Sequence, residues 1–130
     1  MHIRSKKTKL KLLSVLTNLT LRKSLLLPLL NSSSDFRKVK QELQKLPWDS
    51  EELVTLKKVQ LRNLFEKYLA GEFSVEDISE WANIIESRVD IGYETPYEDT
   101  IKQIVFELAN PEMNGMLTTE KSNHYLKLLS

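Results

Sequence analysis

SVEDISEWANIIESR, residues 74–88, decides the fold of this chain. Ser74 stands where a helix N-cap is wanted, and Asp77, three residues on, can reach back to it in a capping box. Ile78, Trp81, Ala82, Ile85 and Val89 then recur on one side at helical spacing. Glu76, Asp77, Glu80 and Asn83 face away from that side. The spacing predicts an amphipathic helix over about 75–88.

The same grammar extends in both directions. Downstream, IGYE (91–94) reads as a turn around Gly92. TPYE (95–98) reads as a helix start, with Thr95 as cap, Pro96 at the first helical position and Glu98 as the acid that follows. That helix is expected over about 96–109, burying Tyr97, Ile101, Ile104, Val105 and Leu108. NPEMNG (110–115) reads as a loop, and Thr118 or Thr119 opens a last helix ending in Tyr125, Leu126, Leu128 and Leu129. Upstream, Gly71 is a natural stop for a helix of about 50–70. WDSEEL (48–53) would open it through an Asp49–Glu52 capping box, with Leu53, Leu61, Leu64, Phe65 and Tyr68 as its buried stripe. NSSSDF (31–36) supplies an N-cap for one more helix, carrying Phe36, Val39, Leu43 and Leu46 and ended by Pro47. No stretch alternates apolar and polar residues long enough to read as a strand. The expected fold class is all-α: an antiparallel four-helix bundle from about 51 to 130, with one or two additional N-terminal helices.

Composition agrees. Only 3 glycines and 4 prolines in 130 residues are too few for a turn-rich sandwich or barrel. The absence of cysteine excludes a disulfide framework, a thiolate metal site and a cysteine nucleophile. The longest apolar run, Leu25–Leu30, falls far short of the roughly 20 residues that span a bilayer, and a cytoplasmic location is expected.

The net charge of +1 conceals an asymmetry. Residues 1–34 hold seven basic side chains and no acid, whereas all 18 acids lie from Asp35 onward. Two regions follow: 1–34, a basic amphipathic N-terminal extension, and 35–130, an acidic helical-bundle domain. In the extension, Leu10, Leu13 and Leu16, with Leu19 or Leu21, form a loose helical stripe. It reads as a helix packed on the body with a serine linker behind it. Other readings are a basic arm, a membrane-surface helix or a targeting segment.

Catalytic signatures are lacking. His2 and His124 are the only histidines, without carboxylates at ligand spacing. There is no Gly-rich phosphate loop, HExxH or GxSxG, and the Asp90–Gly92 turn has too few ligands for an EF-hand. The expectation is a protein that is not an enzyme, with no cofactor, no metal and no small-molecule substrate.

The acids point instead to a macromolecular partner. Glu76, Asp77, Glu98 and Asp99 fall in first turns, where carboxylates favour the helix dipole. Glu80, Glu86, Asp90 and Glu94 lie late in a helix or in the turn, where that benefit is absent. No base stands at i+4 to any of them, and like charges meet at Glu76/Glu80 and Asp90/Glu94. Such a surface attracts a cationic protein and speeds its encounter. Trp81 and Tyr97 sit on buried stripes and are expected in the core, while Tyr93, in the turn, is the better anchor. The candidate partner-binding residues are Glu80, Glu86, Asp90, Tyr93, Glu94, Glu98 and Asp99.

KYLAGEFSVEDIS (67–79) and IVFELA (104–109), followed by a last short helix, resemble small helical bacterial immunity proteins of toxin systems, the colicin D immunity-like type. The resemblance covers about residues 60–130. It implies a four-helix inhibitor of a colicin-like or contact-dependent growth inhibition toxin. Its partner would be a cognate toxin with a basic, tRNA-cleaving nuclease domain, whose active site the acidic face would cover. The site residues themselves rest on charge and position. Two other readings stand beside this one. Nucleic acid or an anionic membrane would be contacted only through residues 1–24, with a steep salt dependence. An adaptor or scaffold would need no toxin at all.

Overall fold

Helices dominate the computed structural model, which describes residues 17–33, 35–46 and 51–130. Seven lie among the described residues: α1 (17–30), α2 (Phe36–Gln44), α3 (Lys58–Leu69), α4 (Val75–Glu86), α5 (Glu98–Ala109), α6 (Pro111–Asn114) and α7 (Thr119–Leu128). Two short strands accompany them, β1 (Val54–Leu56) and β2 (Ile91–Tyr93). The Leu10–Leu13–Leu16 stripe, the stop at Pro47 and the cap at Asp49 lie outside the described residues.

Local chemistry sets most helix ends. Ser74 Oγ accepts the Asp77 N–H at 3.1 Å, and the Asp77 carboxylate accepts the Ser74 N–H at 2.9 Å. Asp35 caps α2 by accepting the Arg37 and Lys38 N–H groups, and Thr118 caps α7 by accepting that of Lys121. After α3, Gly71 turns left-handed at φ 82°. There the Glu72 N–H donates to the Lys67 carbonyl at 2.9 Å and the Gly71 N–H to that of Tyr68 at 3.0 Å, a Schellman ending. α1 ends the same way with Ser32 in the left-handed position at φ 56°. Its final carbonyls are taken by other helices. Trp81 Nε1 of α4 donates to Leu29 O at 2.9 Å, and Lys67 Nζ of α3 donates to Ser32 O at 2.9 Å.

The strands correct the sequence reading. β1 and β2 pair in parallel, with Val54 opposite Ile91, Thr55 opposite Gly92 and Leu56 opposite Tyr93. A parallel pair needs a crossover, and α3 and α4 supply it. Residues 51–57, expected as helix, therefore run extended, and α3 begins only at Lys58. Its opening N–H groups find Gln60 Oε1, which takes that of Lys57, and Glu94 Oε1, which takes that of Lys58. Of IGYE, expected as a turn, residues 91–93 form β2. Ile91 goes into the core, while Val89, expected on the buried stripe of α4, stays exposed. Pro96 lies in a turn, joined to Thr95 by a cis peptide, and α5 starts at Glu98. NPEMNG holds the short α6.

One cluster of buried side chains unites these elements. Trp81 and Phe65 are its largest fully buried members, with Leu26, Leu29 and Leu30 of α1 packed beside them. α4 and α5 make the most extensive helix pair, and α3 touches both α4 and α7. No helix among the described residues is long and apolar enough to cross a membrane.

The most buried charges lie where α1, α4 and the ribbon meet. Asp90 is 1% exposed and Arg22 of α1 2%. Arg88 forks onto Asp90, with Nε donating to Oδ1 at 2.8 Å and Nη2 to Oδ2 at 2.7 Å, while Arg22 Nη1 approaches Oδ2 at 3.4 Å. The Asp90 carbonyl also accepts the N–H groups of Leu53 at 2.8 Å and Val54 at 3.3 Å. Removing one partner of a buried ion pair leaves the other uncompensated. Asp90→Ala should therefore lower unfolding free energy by about 3–5 kcal/mol, read from the urea midpoint. Ser32→Gly should act oppositely. A side chain in the left-handed region costs about 1 kcal/mol, and the buried Ser32 hydroxyl has no hydrogen-bond partner among the described residues. The same urea titration should show that gain.

Candidate functional site

α4 ends at Glu86, the chain turns through residues 87–90 into β2, and α5 packs along α4. Between β2, the end of α4 and the outer side of α5 the surface opens into a cleft of about 660 Å³. Carboxylates of Glu52, Glu86 and Glu98 line it, together with Tyr93, Lys102 and Phe106. Each element contributes for a local reason. Glu86 is the last residue of α4 and is exposed. β2 starts with Ile91 in the core and ends with Tyr93 half-buried at the cleft wall. Glu98 and Lys102 are one turn apart at the start of α5, an i,i+4 pair at 2.8 Å. Phe106 follows Val105 on α5 and falls off the buried stripe.

The seven candidate residues divide among different environments. Glu86, Tyr93 and Glu98 meet in the cleft. Asp99 is exposed in the first turn of α5. Glu94 is used within the fold, since its carboxylate accepts the Lys58 N–H at 3.0 Å and so serves the start of α3. Glu80 points towards α2 and pairs with Lys40 at 3.1 Å. Asp90 requires a correction. It was expected on the docking face, but it is buried between Arg88 and Arg22 and offers no surface to a partner. Arg22 is likewise withdrawn from the basic set of the N-terminal segment. Trp81 is fully buried and Tyr97 half-buried against the core, with Lys58 Nζ 4.1 Å from the Tyr97 ring centroid.

Three cleft residues escaped the sequence reading. Glu52 was assigned to a capping box, yet its carboxylate lies over β2, in the place a side chain at Gly92 would occupy. Val89 and Phe106 are 49% and 39% exposed at the cleft, giving it apolar rims. Phe106 could have been found as an apolar residue out of phase with its helix stripe. Glu52 could not, because only the pairing of two strands distant in sequence brings it here.

The electrostatics are mixed. Arg88 is held by Asp90 and Lys102 by Glu98. Glu52 and Glu86 have no ion-pair partner among the described residues, although Asn110 Nδ2 approaches Glu86 at 3.4 Å. Burial pushes the Tyr93 phenol up from its ordinary value of 10.0. The Lys102 charge pulls it back and Glu86 adds to the rise. Lys102 is itself raised, first by its hydrogen bond to Glu98 and then by that carboxylate's charge. Its Nζ lies 5.6 Å from the Tyr93 ring centroid. Among the described residues, no group of three or more His, Cys, Asp or Glu side chains is placed to hold a metal ion.

Tyr125 in α7 is also raised, by burial and then by Glu107. Above pH 10 an unfolded chain releases these phenolic protons before the folded one does. Stability present below the unfolded value is therefore lost as pH rises through the folded values. In a titration of phenolate absorbance on the folded protein, Tyr93→Phe and Tyr125→Phe should each remove amplitude from the alkaline end of the curve. Loss of amplitude from its early part would contradict the assignment. Compared with known protein families, curated proteins and solved structures, this chain matches none.

Proposed function

We propose that this chain is an immunity-like binding protein, without enzymatic activity, that neutralises a basic toxin in the cytoplasm by covering its active site with carboxylates. A tRNA-cleaving nuclease is the partner class that fits best, because a cleft built to hold phosphates is cationic and an acidic surface can occupy it. The likeness of residues 60–130 to colicin D immunity-like proteins supports this reading. In this proposal α3, α4, α5 and α7 are taken as its antiparallel four-helix frame, with α1 and α2 added to it.

The observation that carries the proposal is the cleft. Its Glu52 and Glu86 carboxylates lack basic partners among the described residues, and they stand beside a half-buried tyrosine and two exposed apolar side chains. Unneutralised charge steers a partner in, and aromatic surface anchors it once there. The docking face is accordingly narrowed to Glu52, Glu86, Tyr93, Glu98 and Asp99. Asp90, Glu80 and Glu94 are left to the work they do inside the fold.

The test is co-expression with the product of the gene directly upstream, followed by an RNA-cleavage assay of the purified pair. Replacing Glu86, Glu98 and Asp99 together by Lys should weaken binding by several kcal/mol and slow association, while circular dichroism remains that of the parent. A triple variant that protects RNA as well as the parent would rule this face out.

A further inference from the structure

We infer that the cleft is the seat for one arginine side chain presented by a protein partner. This deepens the proposed function and rests on its reading of the acidic face. Four observations lead to it. First, the two bases that line the cleft are already committed, Arg88 to Asp90 at 2.7 Å and Lys102 to Glu98 at 2.8 Å. The lining carboxylates without an ion pair among the described residues are Glu52 and Glu86, one carried by the segment before β1 and the other by the end of α4. Second, the Tyr93 ring at the wall already faces a cation, since Lys102 Nζ lies 5.6 Å from its centroid. Third, the rims are apolar, with Val89 and Phe106 exposed. Fourth, an open space of about 660 Å³ has room for a side chain together with the loop that bears it.

Arginine satisfies this combination better than lysine. Its guanidinium is planar, stacks on aromatic faces and gives several hydrogen bonds in a fixed fork, so one group can serve both a ring and a carboxylate. A lysine ammonium is a compact, strongly hydrated charge that gains less from an apolar rim. A neutral side chain of the same shape would leave both carboxylates unneutralised.

The experiment uses the full chain, labelled with nitrogen-15. It is titrated with acetyl-Gly-Arg-Gly-amide and with the same peptide carrying lysine or citrulline. Saturable amide shifts centred on Gly92, Tyr93 and Phe106 are expected with the arginine peptide, weaker ones with lysine and none with citrulline. The variant with both Glu52→Gln and Glu86→Gln should bind about tenfold more weakly, the scale of a lost charge-assisted contact, with unchanged shifts elsewhere in its spectrum. The absence of any saturable shift overturns the inference, as does equal binding of citrulline. Shifts confined to Asp99 also overturn it, while leaving an acidic docking face standing. Conversely, saturable binding of the arginine peptide in the cleft of a protein that neutralises no toxin would remove the broader reading and keep the arginine seat.

Discussion

Asp90 holds the architecture together. Its side chain takes the forked guanidinium of Arg88 from the end of α4 and meets Arg22 from α1. Its carbonyl takes two N–H groups from the start of β1. One residue thus ties together three segments that are far apart in the chain. Burying such a group is unfavourable unless it is both paired and hydrogen-bonded, and Asp90 is both. The arrangement is specific as well as stabilising, because a shift of β1 against β2 would leave the Asp90 carbonyl facing the wrong N–H groups. The position of β2 depends on this joint, and the cleft wall depends on β2.

The helices could be read from the chain because their determinants are local. Ser74 and Asp77, Asp35, Thr118 and Gly71 act within a few residues of themselves, and apolar spacing marks the buried sides of α2, α4 and α5. The ribbon could not be read this way. VTL and IGY are three residues each, too short for alternation to register, and neither has meaning without the other. Asp49 with Glu52 looked like a helix start for the same reason: the pattern is local, and the pairing that overrides it is not. Thr95 and Pro96 carried a start signal that the turn absorbed two residues before α5 begins.

The acids teach a related lesson. Four carboxylates seemed unneutralised because no base lay one turn away. Three of them found partners elsewhere: Asp90 with Arg22 across 68 positions, Glu80 with Lys40 of α2 and Glu94 with the first turn of α3. Helix spacing reports only the charges on the same helix. Glu86 alone of the four keeps an exposed carboxylate without a cation among the described residues. The acidic stretch is therefore part scaffold and part surface. The surface part acquires its shape from Tyr93, Val89 and Phe106, whose exposure no charge count reveals.

The parallel ribbon also governs the order of assembly. Its two strands are joined only through α3 and α4, so their pairing closes the whole length of both helices and gains little until these have folded back. Six residues with so few hydrogen bonds do not hold themselves together alone. A chain with its helices packed but its strands still apart would have nearly full helical content and no recess beside α5. The wall that carries Tyr93 is then among the last parts of the molecule to be completed.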